Sequence, residues 1–133
     1  MRDTLVIIPT YNEIENIEPL TKAVLATSDS VDILIVDDNS PDGTGDKANQ
    51  LQAAEPRFHV LHRTQKNGLG RAYIAGFRWA LERNYEYIME MDCDFSHDPK
   101  EIPNFRSKME EGYHLVLGSR YIGGIRIMNW PLS

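Results

Sequence analysis

Cysteine is scarce in this chain: Cys93 is the only one among 133 residues, so a fold held by internal disulfides is excluded. A protein without disulfides fits a reducing compartment, and we expect a cytoplasmic location. Positive charge is also scarce, because 14 lysine and arginine residues face 20 aspartate and glutamate residues, a net charge of −6. This balance argues against a nucleic-acid partner. An acidic protein can still bind an anionic ligand when a metal ion supplies the positive charge.

Long apolar runs are missing as well. No run approaches the ~20 residues that span a bilayer, and Met1–Thr4 leads directly into an apolar strand pattern rather than a signal peptide. The chain lacks the Gly-x-x-x-x-Gly-Lys-Ser/Thr pattern of a P-loop. Gly68 and Gly70 lack the third glycine of a dinucleotide fingerprint and follow a basic loop instead of the first strand.

Short apolar runs alternate with amphipathic stretches along the whole chain. The runs predict buried strands at Leu5–Ile8, Ile33–Val36, Phe58–His62, Tyr87–Met91 and Leu115–Leu117. This alternation predicts an α/β domain with a mostly parallel sheet and right-handed crossovers. The third run alternates most strongly and is expected near a sheet edge. Residues 1–133 read as one domain. The last segment, Ile122–Ser133, is apolar and Gly-rich and stops without a clear helix or strand ending, as though the chain were cut.

Four helices are predicted between these strands. Asn16 is the expected N-cap of the first helix, and Asp42 or Thr44 that of the second. The third follows Gly70, and Pro99 begins the fourth. The apolar faces are expected to hold Ile17, Leu20, Val24 and Leu25 in the first helix; Ala48 and Leu51 in the second; Tyr73, Ile74, Phe77, Ala80 and Leu81 in the third; and Ile102, Phe105 and Met109 in the fourth.

Asp92 and Asp94 come directly after the predicted strand Tyr87–Met91. Side chains two residues apart in a strand point the same way, so both carboxylates are expected on one side. Carboxylate oxygens are the hard ligands that Mg2+ or Mn2+ prefers, and ligands of open α/β sheets bind beyond the carboxyl ends of the strands. The pair therefore predicts a metal site that suits a diphosphate ligand.

Other interpretations of these residues stay open. Aspartate is common in turns and at helix N-caps, so the pair can be purely structural. An Asp-x-Asp pair after a strand is also typical of aspartate-nucleophile phosphatases, where it usually follows the first strand. Cys93 reads as a small strand-end residue that faces the core. Lys66 and Arg71 read as surface charges, and His97 as a loop hydrogen-bonding residue.

Four polar loops are expected to meet at one edge of the sheet: Pro9–Glu13, Asp37–Thr44, Asp92–Pro99 and Gly118–Tyr121. In the first two, Tyr11 can stack on a base or sugar. Glu13 or Asp37 can accept hydrogen bonds from a ribose or a base edge. A structural interpretation is equally open, in which Asp37, Asn39 and Ser40 only build the turn.

In sequence order, these segments resemble those of family 2 glycosyltransferases, most closely the dolichyl- or polyprenyl-phosphate mannose synthases. The resemblance covers almost the whole chain. The matching segments are Pro9-Thr10-Tyr11-Asn12-Glu13, Asp37-Asp38-Asn39-Ser40-Pro41-Asp42-Gly43-Thr44, Gly68-Leu69-Gly70 with Ala72-Tyr73, Asp92-Cys93-Asp94-Phe95-Ser96-His97-Asp98-Pro99, and Gly118-Ser119-Arg120-Tyr121.

The resemblance implies the GT-A fold, a GDP-mannose donor, a Mg2+ or Mn2+ cofactor, and transfer with inversion to a dolichyl or polyprenyl phosphate. It also implies that Asp94 and Asp92 hold the metal, that Arg120 meets a phosphate, and that Asp92, Asp94 and Arg120 form the catalytic set. Membrane contact at the cytoplasmic face is expected through parts beyond residue 133. The donor-binding set implied is Pro9, Tyr11, Glu13, Ile35, Asp37, Asp92, Cys93, Asp94 and Arg120.

Two positions depart from the usual family pattern. Cys93 stands where a small residue such as alanine is common, and Ser96 stands where some members place a metal-ligating glutamine. The third protein ligand of the metal is therefore not identified. Two alternatives stay open: a family 2 enzyme that uses a UDP-sugar, and a shortened module that binds nucleotide and metal without turnover.

Overall fold

A computed structural model describes residues 3–64, 69–96, 98–110, 115–117 and 126–128. Strands and helices alternate through most of the described chain, as the apolar pattern predicts. The elements are β1 (Thr4–Thr10), α1 (Ile17–Leu25), β2 (Val31–Asp37), α2 (Thr44–Ala54), β3 (Phe58–His62), α3 (Leu69–Leu81), β4 (Tyr87–Glu90), a 3-10 turn (Pro99–Glu101) that leads into α4 (Ile102–Glu110), β5 (Leu115–Leu117) and β6 (Arg126–Met128).

The six strands form one sheet in the order β3-β2-β1-β4-β6-β5. The first four strands pair in parallel. β6 is antiparallel to β4 and to β5, so β5 runs in the same direction as the first four strands. The α/β prediction is confirmed, and β3 lies at the edge, as its alternating pattern indicates. Within Ile122–Ser133, the described residues Arg126–Met128 form β6, a strand that the sequence pattern did not predict.

Both faces of the central strands are buried, which explains why β1 and β2 are continuously apolar. One face packs against α1, α2 and α4, and the other packs against α3. The first core contains Val6, Ile8, Ile33 and Ile35 from the strands with Ile17, Leu20, Val24, Ala48 and Ile102 from the helices. The second contains Leu5, Ile7, Leu34, Val36 and Ile88 with Ala72, Tyr73 and Ala80.

β1 continues through Pro9 to Thr10, whereas the sequence predicts that Pro9 stops it. The carbonyl of Ile7 accepts from the Met91 amide at 2.9 Å, and the carbonyl of Thr10 accepts from the Asp38 amide at 3.1 Å. Odd-numbered residues of β1 therefore direct their backbone groups toward β4. The ladder with β4 ends at Ile7 and Glu90. Pro9 has no N–H to donate on this side, but the pairing with β2 continues opposite Val36 through the backbone groups of Ile8 and Thr10, so Pro9 remains within the strand.

The starts of the first and fourth helices are confirmed in position, whereas α3 begins at Leu69 instead of after Gly70 and the N-cap of α2 is Gly43 instead of Asp42 or Thr44. α1 begins after Asn16, whose side chain donates to Glu13 Oε2 at 3.0 Å instead of capping the helix. α2 begins at Thr44 after Gly43, which has a φ of 94°. Asp98 accepts from the Lys100 amide at 3.0 Å at the start of the 3-10 turn.

The apolar face predicted for α3 is partly wrong. Ile74 and Leu81 are 52% and 50% exposed, because each follows a core-facing residue by one step of ~100° around the helix. Tyr73, Phe77 and Ala80 form the face that contacts the core. In α4, Ile102 is buried as predicted, whereas the side chains of Phe105 and Met109 lie outside the described part. No helix among the described residues is long and apolar enough to cross a membrane.

Candidate active site

Three predicted loops extend from the carboxyl ends of neighbouring strands. Residues 11–16 follow β1, residues 38–43 follow β2, and residues 91–98 follow β4. Because β2, β1 and β4 are adjacent and parallel, these loops share one edge of the sheet. The fourth loop, Gly118–Tyr121, lies outside the described residues, and so do Arg120, Lys66 and His97. The predictions for those residues stay predictions.

The Asp37 carboxylate connects the ends of β1 and β2. Its Oδ1 accepts from Thr10 Oγ1 at 2.7 Å and from Ser40 Oγ at 2.6 Å. Its Oδ2 accepts from the Ser40 amide at 3.1 Å. Asp37 is only 1% exposed. The interpretation that Asp37 and Ser40 build the turn is confirmed by these bonds, and the donor-binding role of Asp37 stays a prediction.

The first loop is bonded to the second through three of its backbone amides. Asn12 donates to Ser40 Oγ at 3.0 Å, Glu13 to Thr44 Oγ1 at 3.0 Å, and Ile14 to Asp42 Oδ2 at 3.2 Å. Each loop also contains an asparagine with positive φ, 56° at Asn12 and 59° at Asn39. The short polar side chain of asparagine tolerates this conformation better than most residues do. The two loops therefore form one surface.

Asp42 belongs to this junction as an ionised acceptor. Desolvation alone would raise its pKa. The hydrogen bonds from the Thr44 hydroxyl, the Thr44 amide and the Ile14 amide outweigh that effect and lower the pKa of Asp42 below its usual value. Asp42, one of the two residues predicted as the N-cap of α2, thus accepts from the amide of Thr44, and Thr44 is the first residue of the helix.

Asp92 and Asp94 lie where β4 ends, as predicted. Tyr73 Oη on α3 donates to Asp92 Oδ1 at 2.8 Å. The Ser96 amide donates to Asp94 Oδ1 at 2.9 Å, and Phe95 between them has a φ of 58°. Asp92 is half-buried and Asp94 is exposed. The chain thus offers one carboxylate anchored against α3 and one that faces outward.

Cys93 lies between these carboxylates and is 3% exposed. Its burial, followed by the negative charges of Glu13, Asp94 and Asp92, raises the pKa of its thiol to about 12. The thiol is therefore neutral and faces the core, as predicted. The negative charge of Glu13 therefore acts on the same thiol as the charges of Asp92 and Asp94.

The predicted donor contacts differ in their exposure. Tyr11 is exposed and Glu13 is half-buried. Pro9 is buried at the end of β1, and Ile35 packs fully buried in the core two residues before Asp37. The Ile35 side chain therefore supports the strand end rather than facing solvent. Arg71, predicted as a surface charge, is exposed.

A polar cleft of about 350 Å³ adjoins Asp37 between the second loop and the end of β3. Its walls include Asp37, Ser40, His62 and Arg63. Arg63 Nη1 lies 3.2 Å from Asp38 Oδ1. His62 Nε2 lies 2.7 Å from Asn49 Oδ1. The edge of the sheet thus contains a concave polar space beside Asp37.

Asp92 and Asp94 fit a divalent metal ion whose remaining ligands come from a bound substrate. In the described ranges, no group of three or more His, Cys, Asp and Glu side chains is arranged to hold a metal. Mg2+ characteristically uses one or two protein carboxylates together with substrate phosphates. Asp92 and Asp94 supply such a pair, and a hydrogen bond at one carboxylate oxygen leaves coordination possible because each oxygen has two lone pairs.

Tyr73 is the site residue that sequence reasoning missed. The sequence assigns it to the apolar face of the third helix, and its ring does lie in the core beside Ile88. Its hydroxyl nevertheless reaches Asp92. The available signal was the burial of a tyrosine, because a buried phenol needs a hydrogen-bond partner.

Comparison with known proteins places this site in a family context. The model of glycosyl transferase family 2 matches residues 5–133. An undecaprenyl-phosphate mannosyltransferase from Micrococcus luteus is 54% identical over 97% of this chain and 53% of its own length. A polyprenol monophosphomannose synthase from Mycolicibacterium smegmatis is 51% identical over 96% of this chain and 49% of its own length. The chain therefore spans about half the length of these relatives.

Solved structures share the fold at lower identity. A mannosyltransferase from Pyrobaculum calidifontis, in complex with GDP-Man and Mn2+, has a TM-score of 0.59 and 24% identity over 69% of this chain and 27% of its own. A glucosyl-3-phosphoglycerate synthase from Mycobacterium tuberculosis, in complex with Mn2+, UDP and glucosyl-3-phosphoglycerate, has a TM-score of 0.63 and 21% identity over 86% of this chain and 42% of its own.

Proposed function

The chain belongs to glycosyl transferase family 2, and from this premise we propose that it moves mannose from GDP-mannose to a polyprenyl or dolichyl phosphate with inversion. The observation that carries the proposal is the position of Asp92 and Asp94 at the carboxyl end of β4, at the same sheet edge as the bonded loops after β1 and β2. The similarity to two polyprenyl-phosphate mannosyltransferases supports the sugar and the acceptor. As the chain spans about half of those relatives, the activity is proposed for the whole protein.

In this proposal the first two loops bind the nucleoside. Tyr11 is exposed at the edge and has a ring that can stack on a base or a sugar. Glu13 and Asp37 present carboxylates that accept hydrogen bonds from N–H and O–H donors. Pro9 and Ile35 are buried beneath the proposed guanosine site and shape the ends of β1 and β2 that carry it. The bonds between the two loops hold this surface in place before the ligand arrives.

Asp92 and Asp94 serve the diphosphate in the same proposal. They would hold a Mg2+ or Mn2+ ion, which when bound neutralises charge on the diphosphate and on the GDP that leaves. Cys93 lies between them in the chain, with its side chain in the core. Arg120 adds a positive charge toward a phosphate of the donor or acceptor, and with Asp92 and Asp94 it completes the proposed catalytic set. The exposed position of Asp94 and the anchored position of Asp92 fit these separate tasks.

Transfer then needs no protein base. A phosphate monoester has a second pKa of about 6 and is already anionic at neutral pH. Its oxygen attacks the anomeric carbon of mannose and forms the new C–O bond, while the bond to the diphosphate breaks and its electron pair leaves with GDP. Alignment of the acceptor opposite the leaving group inverts the anomeric centre, and the residues around the diphosphate contribute by positioning and by electrostatics.

The acceptor also sets where the protein acts. A lipid phosphate lies at a membrane surface, and we place the whole protein at the cytoplasmic face as a peripheral protein. The acidic balance of this chain offers no general attraction to anionic lipid. We therefore assign the membrane contact to parts of the protein beyond residue 133.

The test is a transfer assay with radiolabelled sugar donors and a short polyprenyl phosphate. The 133-residue chain and a longer form of the protein are each incubated with GDP-mannose, UDP-glucose or UDP-GlcNAc, with Mn2+ or with EDTA. We expect organic-extractable product from GDP-mannose only, and only with Mn2+. Product from a UDP-sugar would instead support the alternative donor class. Nucleotide binding without turnover by either form would support a binding module.

A further inference from the structure

We propose that Tyr73 is a positioning residue that holds the Asp92 carboxylate in the orientation needed to bind the metal and diphosphate. The inference rests on the proposed function and adds a residue to it. Tyr73 lies on α3, outside the loop that carries Asp92 and Asp94. Its hydroxyl donates to Asp92 Oδ1 at 2.8 Å.

Tyr73 is well placed to fix the Asp92 side chain. Its ring packs in the core beside Ile88 of β4, and the residue is only 7% exposed. Ile88 and Asp92 are four positions apart, and side chains at even spacing share a face of the strand. The Asp92 carboxylate therefore lies on the α3 side of the sheet, where the Tyr73 hydroxyl lies at the edge of the core. A ring locked by packing presents its hydroxyl at a fixed position.

The close packing of α3 on the sheet determines how far the Tyr73 hydroxyl lies from the end of β4. A Cβ built on Gly76 would lie 2.7 Å from Ile7 Cγ2, so the absent side chain lets the helix backbone approach β1 closely. Gly76 follows Tyr73 by three residues and lies on the same side of the helix. The close contact at Gly76 thus sets the distance between the Tyr73 hydroxyl and the end of β4.

The hydrogen bond has a consequence for ligand binding. A carboxylate held by a phenol has fewer accessible rotamers, so less side-chain entropy is lost when the carboxylate binds. Hydrogen-bond partners of ligating carboxylates commonly change metal affinity by about tenfold or more when they are removed. Tyr73→Phe keeps the ring and removes the hydroxyl alone. We expect it to weaken the affinity for GDP with Mn2+ by about threefold to tenfold.

A matched control lies at the opposite end of the same sheet. Tyr85 Oη donates to Asp32 Oδ2 at 2.6 Å, so it makes the same type of bond away from the loops of the site. Tyr85→Phe is expected to lower the urea midpoint, as Tyr73→Phe does. It is expected to leave the GDP affinity within twofold of the original value. The pair separates a positioning role from a merely structural one.

The experiment is a set of calorimetric titrations of GDP at saturating Mn2+, with urea unfolding of the ligand-free proteins. It uses the unchanged chain, Tyr73→Phe, Tyr85→Phe, Asp92→Asn, and the double variant of Tyr73 and Asp92. The Tyr73 effect on affinity should disappear in the Asp92→Asn background. The shift in urea midpoint of the double variant should differ from the sum of the shifts of the two single variants.

The outcomes separate the inference from the proposed function. If the unchanged chain binds GDP with Mn2+ and Tyr73→Phe binds equally well, the positioning role is wrong. Equal affinity losses in both tyrosine variants, or an undiminished Tyr73 effect without the Asp92 carboxylate, would also overturn it. If the unchanged chain binds no GDP, the proposed function fails. Additive shifts in urea midpoint would then refute the contact between Tyr73 and Asp92, independently of any ligand.

Discussion

The Asp37 carboxylate offers the sharpest test of how the site is built, because its removal should destabilise the whole domain. Asp37→Ala deletes an acceptor of three hydrogen bonds between 2.6 and 3.1 Å, from Thr10 and Ser40. Bonds to a charged group contribute about 1.5–3 kcal/mol each, so the simple sum is ~4.5–9 kcal/mol. Ser40 is only half-buried, and water can replace part of its loss. We expect a loss of about 3–5 kcal/mol.

Urea unfolding followed by circular dichroism measures this loss. A domain of this size has a free energy of unfolding of about 5–15 kcal/mol, so the variant should still fold. Asp37→Asn keeps one acceptor oxygen and should cost less, about 1–2 kcal/mol. Asp29→Ala is the control, because this exposed carboxylate should change stability by no more than about 0.5 kcal/mol. A loss below about 1 kcal/mol for Asp37→Ala would refute the account of Asp37 as the connection between the two loops.

Three further predictions follow from individual contacts. Glu13→Gln should lower the affinity for GDP by about 1–3 kcal/mol and that for UDP by less, because guanine offers a carboxylate two N–H groups where uracil offers one; equal losses by calorimetry would remove Glu13 from base recognition. Gly76→Ala should lower the free energy of unfolding by about 1–3 kcal/mol, because the added Cβ would overlap Ile7. Gly70→Ala, whose Cβ would meet nothing within 4 Å, should not lower it. Equal urea midpoints for the two variants would contradict this. The pKa of Cys93 is raised from 9.0 to about 12, so above about pH 9 the folded state keeps a proton that the unfolded state releases. The stability of the folded protein should therefore fall as pH rises above about 9, by up to ~1.4 kcal/mol per pH unit relative to Cys93→Ala. Parallel curves of stability against pH for the two proteins would show that the thiol is not buried as described.

Local pattern was sufficient to predict the central strands and the edge that carries the loops. Leu5–Ile8 and Ile33–Val36 are apolar at every position because both faces of the sheet are covered. A continuous apolar run of this length needs no tertiary information to be read as a buried strand. The polar residues after each run then fall at the carboxyl edge by topology alone. The Asp92 and Asp94 pair was predictable for that reason.

The remaining features depend on contacts between distant segments. β6 is a three-residue strand, too short to have a period, and it exists because β4 and β5 pair with it on both sides. Pro9 stays within β1 because its missing N–H faces the β4 side, while Ile8 and Thr10 direct their backbone groups toward β2. The bond between Tyr73 and Asp92 joins residues 19 positions apart, and the sequence offers no spacing rule for such a pair.

The central claim is that Asp94 belongs to a metal-dependent nucleotide-diphosphate site. The direct measurement is calorimetric titration of GDP and of UDP into the unchanged chain and Asp94→Asn, with saturating Mn2+ and with EDTA. We expect Mn2+-dependent binding, and a loss of more than about tenfold, or ~1.4 kcal/mol, in Asp94→Asn for both nucleotides alike, because the diphosphate is common to them. Unchanged nucleotide affinity in Asp94→Asn at saturating Mn2+, or nucleotide affinity that is the same with EDTA as with Mn2+, would contradict the account.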